Sequence, residues 1–265
     1  MSKLLFHFRA EYTSRQIRIL AAYGILAPLV YVAALVVGNV LDPTYSQVGK
    51  TVSELIERGA SNRDLLNGIF VVYNLLLIPF AEGLYKALKK GSPAKAVFAS
   101  SVLISVLGLA WTLFLPLDAN GASTSFRGMM HLVIGIPVVL ATFIAELSFW
   151  RAVRGDSRWT GYARFSLAIF AVNLLAGLTT VALVNSDIRG LLERFASGSF
   201  LLWVEVVALK LYSTSQNKRP ELRRVSPLFN CRCGPIFRSD LFKSNLGLNM
   251  QYSVRDCYDL WTFTL

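Results

Sequence analysis

Few side chains in this sequence are suited to acid–base chemistry, and two of them lie close together. Asp118 follows one long apolar stretch and His131 lies near the start of the next, with a short polar segment between them. A carboxylate that accepts a hydrogen bond from one imidazole nitrogen fixes the tautomer and raises the basicity of the ring. The pair therefore predicts a general base, a step in a proton relay, or a polar clasp between two helices.

Four further polar residues are expected at the same level as this pair. Ser53 and Glu54 follow the first apolar stretch, and Glu193 and Arg194 precede the last one. If the apolar stretches cross a membrane in turn, the first, third and fifth connections lie on one side of it. The sequence then predicts one outward-facing polar cluster, with these members: Ser53, Glu54, Asp118, His131, Glu193 and Arg194.

A second polar set falls inside the apolar stretches: Asn74, Asn173 and Glu205. A rise of about 1.5 Å per residue places all three near the middle of their stretches. A carboxylate at that depth is costly and commonly functional, whereas asparagine commonly bonds a neighbouring helix. A protonated Glu205 bonded to one asparagine and an ion site are both consistent with this placement. By the same rise, Glu146 lies about 22 Å from His131, too far to share its site.

The composition identifies the elements that must position these residues. Of 265 residues, 54% are hydrophobic and only 16% are charged, whereas soluble domains carry about 25% charged residues. A span needs about 20 apolar residues, and lipid leaves no partner for unpaired backbone groups, so the spans must be helices. We predict an all-α polytopic transmembrane bundle of about six spans: 19–41, 65–81, 96–117, 128–145, 165–186 and 196–212.

The distribution of positive charge sets the expected orientation. The net charge is +11, and six spans would place 21 of the 27 Lys and Arg residues on the side that holds both termini. Positive residues stay cytoplasmic, so both termini are predicted inside a plasma membrane. Since topology accounts for the basic charge, no nucleic-acid partner is predicted, and the expected partner is the lipid bilayer.

Three regions are expected along the chain: a basic cytoplasmic arm over 1–16, the transmembrane domain over 17–212, and a loosely ordered basic cytoplasmic tail over 213–265. Basic residues at the start of the tail would attract anionic lipid headgroups; they are Lys218, Arg219, Arg223 and Arg224. The tail also contains Cys231-x-Cys233 but no histidine, so no metal site and no cofactor are predicted.

The first connection is long and has local structure of its own. Asp42-Pro43 ends the first span, and Thr51-x-x-Glu54 resembles a capping box. We expect a short helix from about Thr51 or Val52, ended by Gly59, and a cap on the second span at Asn62. This helix would lie over the bundle at the membrane interface or act as a lid over an outward pocket.

Several of these motifs carry a family resemblance. The matching positions are Asp42, Pro43, Tyr45, Ser46, Val52–Leu55, Gly59, Ala60, Asn62, Asn67, Phe70, Phe80, Ala81, Gly83, Leu84, Pro116, Asp118, Gly121, His131, Gly135, Gly190, Leu191, Glu193 and Arg194. Over about 17–212 the chain resembles the domain of unknown function 998 family of uncharacterised prokaryotic membrane proteins. The resemblance implies a six-span bundle and brings no established activity. The tail departs from the family pattern.

The same residues exclude several enzyme classes. With only His7 and His131, the chain lacks the paired histidines of a membrane haem protein and the ligands of a zinc hydrolase. There is no Gly-x-Ser-x-Gly elbow, no serine is expected on a helix facing His131, and no Walker A motif occurs.

Three hypotheses remain. The leading one is a non-enzymatic membrane protein whose outward polar pocket binds or passes a small molecule, an ion or a lipid headgroup. The second is an acid–base enzyme acting on a lipid-linked substrate at the outer interface, with His131 as base, Asp118 as its orienting group and Arg194 as anion holder. The third is a structural assembly subunit with no ligand.

Overall fold

The computed structural model describes residues 13–216, and these residues form a bundle of six long helices. Each helix is long and apolar enough to cross a membrane, so the predicted all-α, six-span architecture is confirmed. The helices are α1 (Ser14–Leu41), α2 (Arg63–Ala87), α3 (Ser92–Phe114), α4 (Phe126–Val153), α5 (Tyr162–Ala182) and α6 (Arg189–Gln216).

The six helices form a closed ring in sequence order. Each helix packs against its neighbours in the chain, and α6 completes the ring by packing against α1. Arg18 near the start of α1 donates a hydrogen bond to the Tyr212 hydroxyl near the end of α6, at 3.1 Å. The two ends of the described chain therefore lie together. We call that end of the bundle proximal, and the opposite end, with connections 42–62, 115–125 and 183–188, distal.

Small residues bring α1 close to its neighbours. A Cβ atom on Gly24 would lie 2.3 Å from the Phe80 ring, and one on Gly83 would lie 2.6 Å from the Leu20 Cβ. Without a hydrophobic drive between helices in lipid, such close approach supplies the packing energy. Outward positions carry exposed aliphatic side chains such as Leu29, which suits a lipid environment.

The helix ends differ from the predicted span limits. Most helices continue past the apolar stretch: α2 runs to Ala87 and α4 to Val153, because charged side chains near a span end reach the polar interface. In contrast, α3 ends at Phe114 rather than at residue 117, since Pro116 has no N–H for a helical bond. The predicted fifth span also ends early, at Ala182.

The sixth helix is the largest correction. It begins at Arg189 rather than at Ala196, so Glu193 and Arg194 belong to its first turns and not to the connection before it. These charged residues interrupt the uncharged stretch, so the start of the helix is not apparent from hydropathy. Both bond to groups of the first connection.

The short helix of the first connection is present. A 3₁₀ helix spans Val52–Ile56, and the Glu54 carboxylate accepts a hydrogen bond of 2.6 Å from the Thr51 N–H. α1 ends at Leu41, before Asp42 as predicted. Gly59 follows the 3₁₀ helix with a φ of +90°, a conformation that favours glycine. Asn62 does precede α2, but its side chain makes no capping bond.

Several predictions lie outside the described residues. They concern most of the 1–16 arm, nearly all of the 213–265 tail, the basic cluster Lys218, Arg219, Arg223 and Arg224, and the Cys231-x-Cys233 motif.

Candidate functional site

The three distal connections are joined into one layer, which we call the distal cap. The Arg58 N–H donates to the Leu117 carbonyl, linking the first connection to the third, at 2.9 Å. The Leu191 N–H donates to the Val48 carbonyl at 2.9 Å, which ties α6 to the first connection. Both hydrogen bonds join backbone atoms, so they hold the cap together without help from side chains.

Asp118 holds the cap together and does not bind His131. Its carboxylate accepts hydrogen bonds from the Ser125 N–H and hydroxyl, both at 2.7 Å, and pairs with Arg58 at 3.4 Å. The hydrogen bonds from Ser125 lower the pKa of Asp118 below its ordinary value, and Arg58 lowers it further. The predicted Asp118–His131 bond is therefore wrong, because Ser125, the residue before α4, offers closer donors.

Glu54 and Arg194 also belong to the cap. Glu54 forms an ion pair with Arg189 at 3.0 Å. Arg194 donates to the Lys50 carbonyl and to the Tyr45 hydroxyl, each at 2.7 Å. Burial raises the pKa of Tyr45 to about 12, so this phenol stays protonated and continues to bridge the loop.

A cavity of about 270 Å³ lies at the centre of the ring. All six helices and the 3₁₀ helix contribute to its wall, which is mainly aromatic and aliphatic. Its principal aromatic residues are Tyr31, Phe70, Tyr73, Trp111, Phe143 and Phe200. Three of the six predicted cluster residues, Ser53, His131 and Glu193, line the cavity towards its distal end.

Glu193 links the cavity to the cap. Its carboxylate accepts a hydrogen bond of 2.9 Å from the Val52 N–H, one of the donors that the start of a helix leaves without an internal partner. This bond holds the 3₁₀ helix against α6 and fixes the position of the next residue, Ser53.

His131 is a buried polar group of the cavity wall, with only 3% of its surface exposed. Its Nδ1 lies 2.6 Å from the Leu115 carbonyl oxygen, and its Nε2 lies 3.0 Å from the Ser53 Oγ. The Leu115 carbonyl is available because α3 ends there and Pro116 follows. A carbonyl only accepts, so Nδ1 carries the proton, and in a neutral ring Nε2 accepts from the Ser53 hydroxyl.

The Ser53–His131 contact was not predicted, since a serine was not expected on a helix that faces His131. Ser53 lies instead on the 3₁₀ helix of the first connection, which the fold lays against α4. The capping-box pattern marks that short helix in the sequence, but no local signal indicates which span it covers.

The deeper polar residues pair differently from the prediction. Asn173 donates a hydrogen bond of 2.5 Å to Glu146 and accepts one of 2.5 Å from Ser199. Glu205 is therefore not the carboxyl group that Asn173 binds. α6 begins at Arg189 and has 28 residues, so it is about 42 Å long, and Glu205 at about 24 Å lies close to its middle.

Among residues 13–216, Asn74 makes no hydrogen bond to another helix. Its amide donates to the Phe70 carbonyl of its own helix at 2.8 Å. Its side chain packs against Gly108 of α3, in space that a larger residue would occupy. A Cβ atom on Gly108 would lie 2.1 Å from the Asn74 Oδ1. Asn74 and Asn173 both line the deeper part of the cavity.

Six membrane-length helices closed into a ring define a multi-pass helical membrane protein. The family described as "Protein of unknown function (DUF998)" matches residues 25–210, and the chain belongs to that family. No curated protein and no solved structure matches the chain. The family match covers all six helices in whole or in large part and includes every residue of the candidate site.

Proposed function

We propose that this protein binds an amphipathic molecule, of the lipid class, in its central cavity. The apolar part of the ligand would occupy the aromatic and aliphatic interior, and its polar head would contact Ser53, His131 and Glu193. The observation that carries this proposal is the composition of the wall, which is mainly apolar along the ring, with Asn74 and Asn173 as deeper polar residues, and which carries Ser53, His131 and Glu193 towards its distal end.

The wall chemistry favours a lipid over a bare ion. Ligand sites for organic molecules are mainly apolar, with a few placed polar groups that fix orientation. A hard cation instead needs a shell of several oxygen ligands, and most residues of this wall are hydrocarbon or aromatic. A lipid tail is as apolar as this wall, so its transfer from the bilayer to the cavity would cost little free energy.

We further propose that the protein lies in a plasma membrane with both termini in the cytoplasm and the distal cap outside. The charge bias supports this orientation, since 21 of 27 Lys and Arg residues would then be cytoplasmic. The cavity would receive its ligand from the outer leaflet or the outer surface.

A cavity-filling substitution tests the binding proposal. Gly177 lines the cavity, and a Cβ atom there would meet nothing within 4 Å, so Gly177→Leu places a side chain in the ligand volume. We expect at least about tenfold less lipid per protein than in the wild type, a loss of about 1.4 kcal/mol in binding. The measurement is mass spectrometry of lipids retained after purification in mild detergent.

The matched control is Gly68→Leu. Gly68 is exposed on α2, and a Cβ there also meets nothing within 4 Å, so this variant adds the same group on the lipid-facing surface. It should retain lipid as the wild type does. Equal lipid in all three proteins would contradict the proposal, and a wild type that retains none would favour the purely structural role.

A further inference from the structure

We infer that Ser53 and His131 form a nucleophile–base pair that cleaves a carboxylic ester in a lipid bound in the cavity. This inference rests on the proposed lipid-binding function and adds a reaction to it. It assigns Ser53 as the nucleophile, His131 as the general base and acid, and the Leu115 carbonyl as the group that orients the ring.

The bonding of Ser53 differs from that of several hydroxyl groups on the long helices. Ser100, Ser105 and Thr142 each donate to a carbonyl of the preceding turn of their own helix, as expected for hydroxyl groups in lipid. Ser53 instead lies 3.0 Å from the His131 Nε2, across a sequence separation of 78 residues. A nucleophile and a base within about 2.6–3.2 Å, with the base held by a third group, is the arrangement of an activated serine.

The third group is already in place. The Leu115 carbonyl, 2.6 Å from Nδ1, fixes the tautomer that leaves Nε2 free to accept the serine proton. Trp111 packs edge-on against the imidazole with ring centroids 4.8 Å apart and limits its rotation. Leu115 and Trp111 are thus positioning residues, and a carbonyl takes the place that a carboxylate has in a Ser-His-Asp triad.

Ser53 is both held and accessible. The Thr51 N–H donates to Glu54 and the Val52 N–H donates to Glu193, and these two bonds hold the start of the 3₁₀ helix, next to Ser53, in place. The Ser53 side chain lines the cavity and is partly exposed. A preorganised group on a fixed element, open to the ligand volume, is what a reacting atom requires.

The reaction balances with water as the only co-reactant. The Ser53 Oγ attacks the ester carbonyl carbon while its proton passes to the His131 Nε2. The bond from that carbon to the alcohol oxygen breaks, and the departing alcohol takes the proton from His131. Water then attacks the acyl-serine, His131 again moves the proton, and the products are a carboxylic acid, an alcohol and the original serine.

Fluorophosphonate labelling of the purified full-length protein tests this pair. A short-chain ethyl fluorophosphonate, which reacts with activated serines, should modify Ser53 at least about a hundredfold faster than Ser61. Ser61 is an exposed serine of the same connection and serves as the internal reference. The measurement is intact-protein mass spectrometry with peptide mapping over time.

Two variants complete the test. His131→Ala should slow Ser53 labelling by about 10²–10⁴-fold, the usual contribution of a general base, whereas Ser61→Ala should leave it unchanged. Labelling of Ser53 at the rate of Ser61, or labelling unaffected by His131→Ala, overturns the inference. If His131→Ala does not fold, the comparison of Ser53 with Ser61 in the wild type still decides. Because the short probe needs no lipid site, its result is separate from that of the lipid-retention experiment.

Discussion

At the scale of the residue, one proline has an effect far from its own position. Pro116 ends α3 and leaves the Leu115 carbonyl without a helical partner. That carbonyl accepts from the His131 Nδ1 and thereby turns Nε2 towards Ser53. Residue type alone indicated which polar residues lie at the distal end. It did not indicate their partners, because Asp118 binds Ser125 of its own connection and His131 binds the Leu115 carbonyl and Ser53 instead of each other.

Gly190 gives a direct test of the distal cap. A Cβ atom there would lie 2.0 Å from the Lys50 carbonyl oxygen and 2.9 Å from the Lys50 nitrogen, and backbone atoms cannot rotate away. We expect Gly190→Ala to destabilise the protein by about 1–3 kcal/mol, as overpacking does. Thermal unfolding in detergent should show a lower Tm.

The control for this variant is Gly198→Ala. Gly198 lies on the same helix, and a Cβ there meets nothing within 4 Å, so the change should leave Tm unchanged or raise it, since alanine favours a helix. Equal Tm values for Gly190→Ala and Gly198→Ala would show that the first connection does not pack on α6 as described.

At the scale of the element, hydropathy was sufficient to find all six helices but not their ends. The apolar stretches mark the membrane core, whereas helices continue into the interface through charged residues, as α4 does to Val153 and α6 does from Arg189. The start of α6 has the largest consequence for the site, because Glu193 then belongs to a helix that lines the cavity and not to the connection before it. The 3₁₀ helix at Val52–Ile56 was predictable because its capping pattern is local.

At the scale of the whole molecule, ring closure creates the cavity. Contact between α6 and α1 completes the wall of a space that no pair of neighbouring helices defines. The sequence does not indicate this space, since every helix except α2 is only weakly amphipathic and its inner face depends on the other five. A polar pocket was predicted, whereas the cavity has a mainly apolar wall with a group of polar residues towards its distal end.

The proposed orientation has its own test at this scale. After replacement of Cys231, Cys233 and Cys257 by serine, Ser61→Cys adds a single thiol at the distal end and Ser157→Cys adds one at the proximal end; both native serines are exposed. A membrane-impermeant maleimide applied to intact cells should label the first variant, and the second only after lysis. The reverse pattern would place the distal cap in the cytoplasm.

The most direct measurement is an experimental structure of the protein in lipid nanodiscs. We predict continuous elongated density in the central cavity, between the aromatic side chains of the ring, with its polar end within hydrogen-bond distance of Ser53 or His131. A cavity closed by the surrounding side chains, or one that holds only separate water molecules, would contradict the proposed lipid binding.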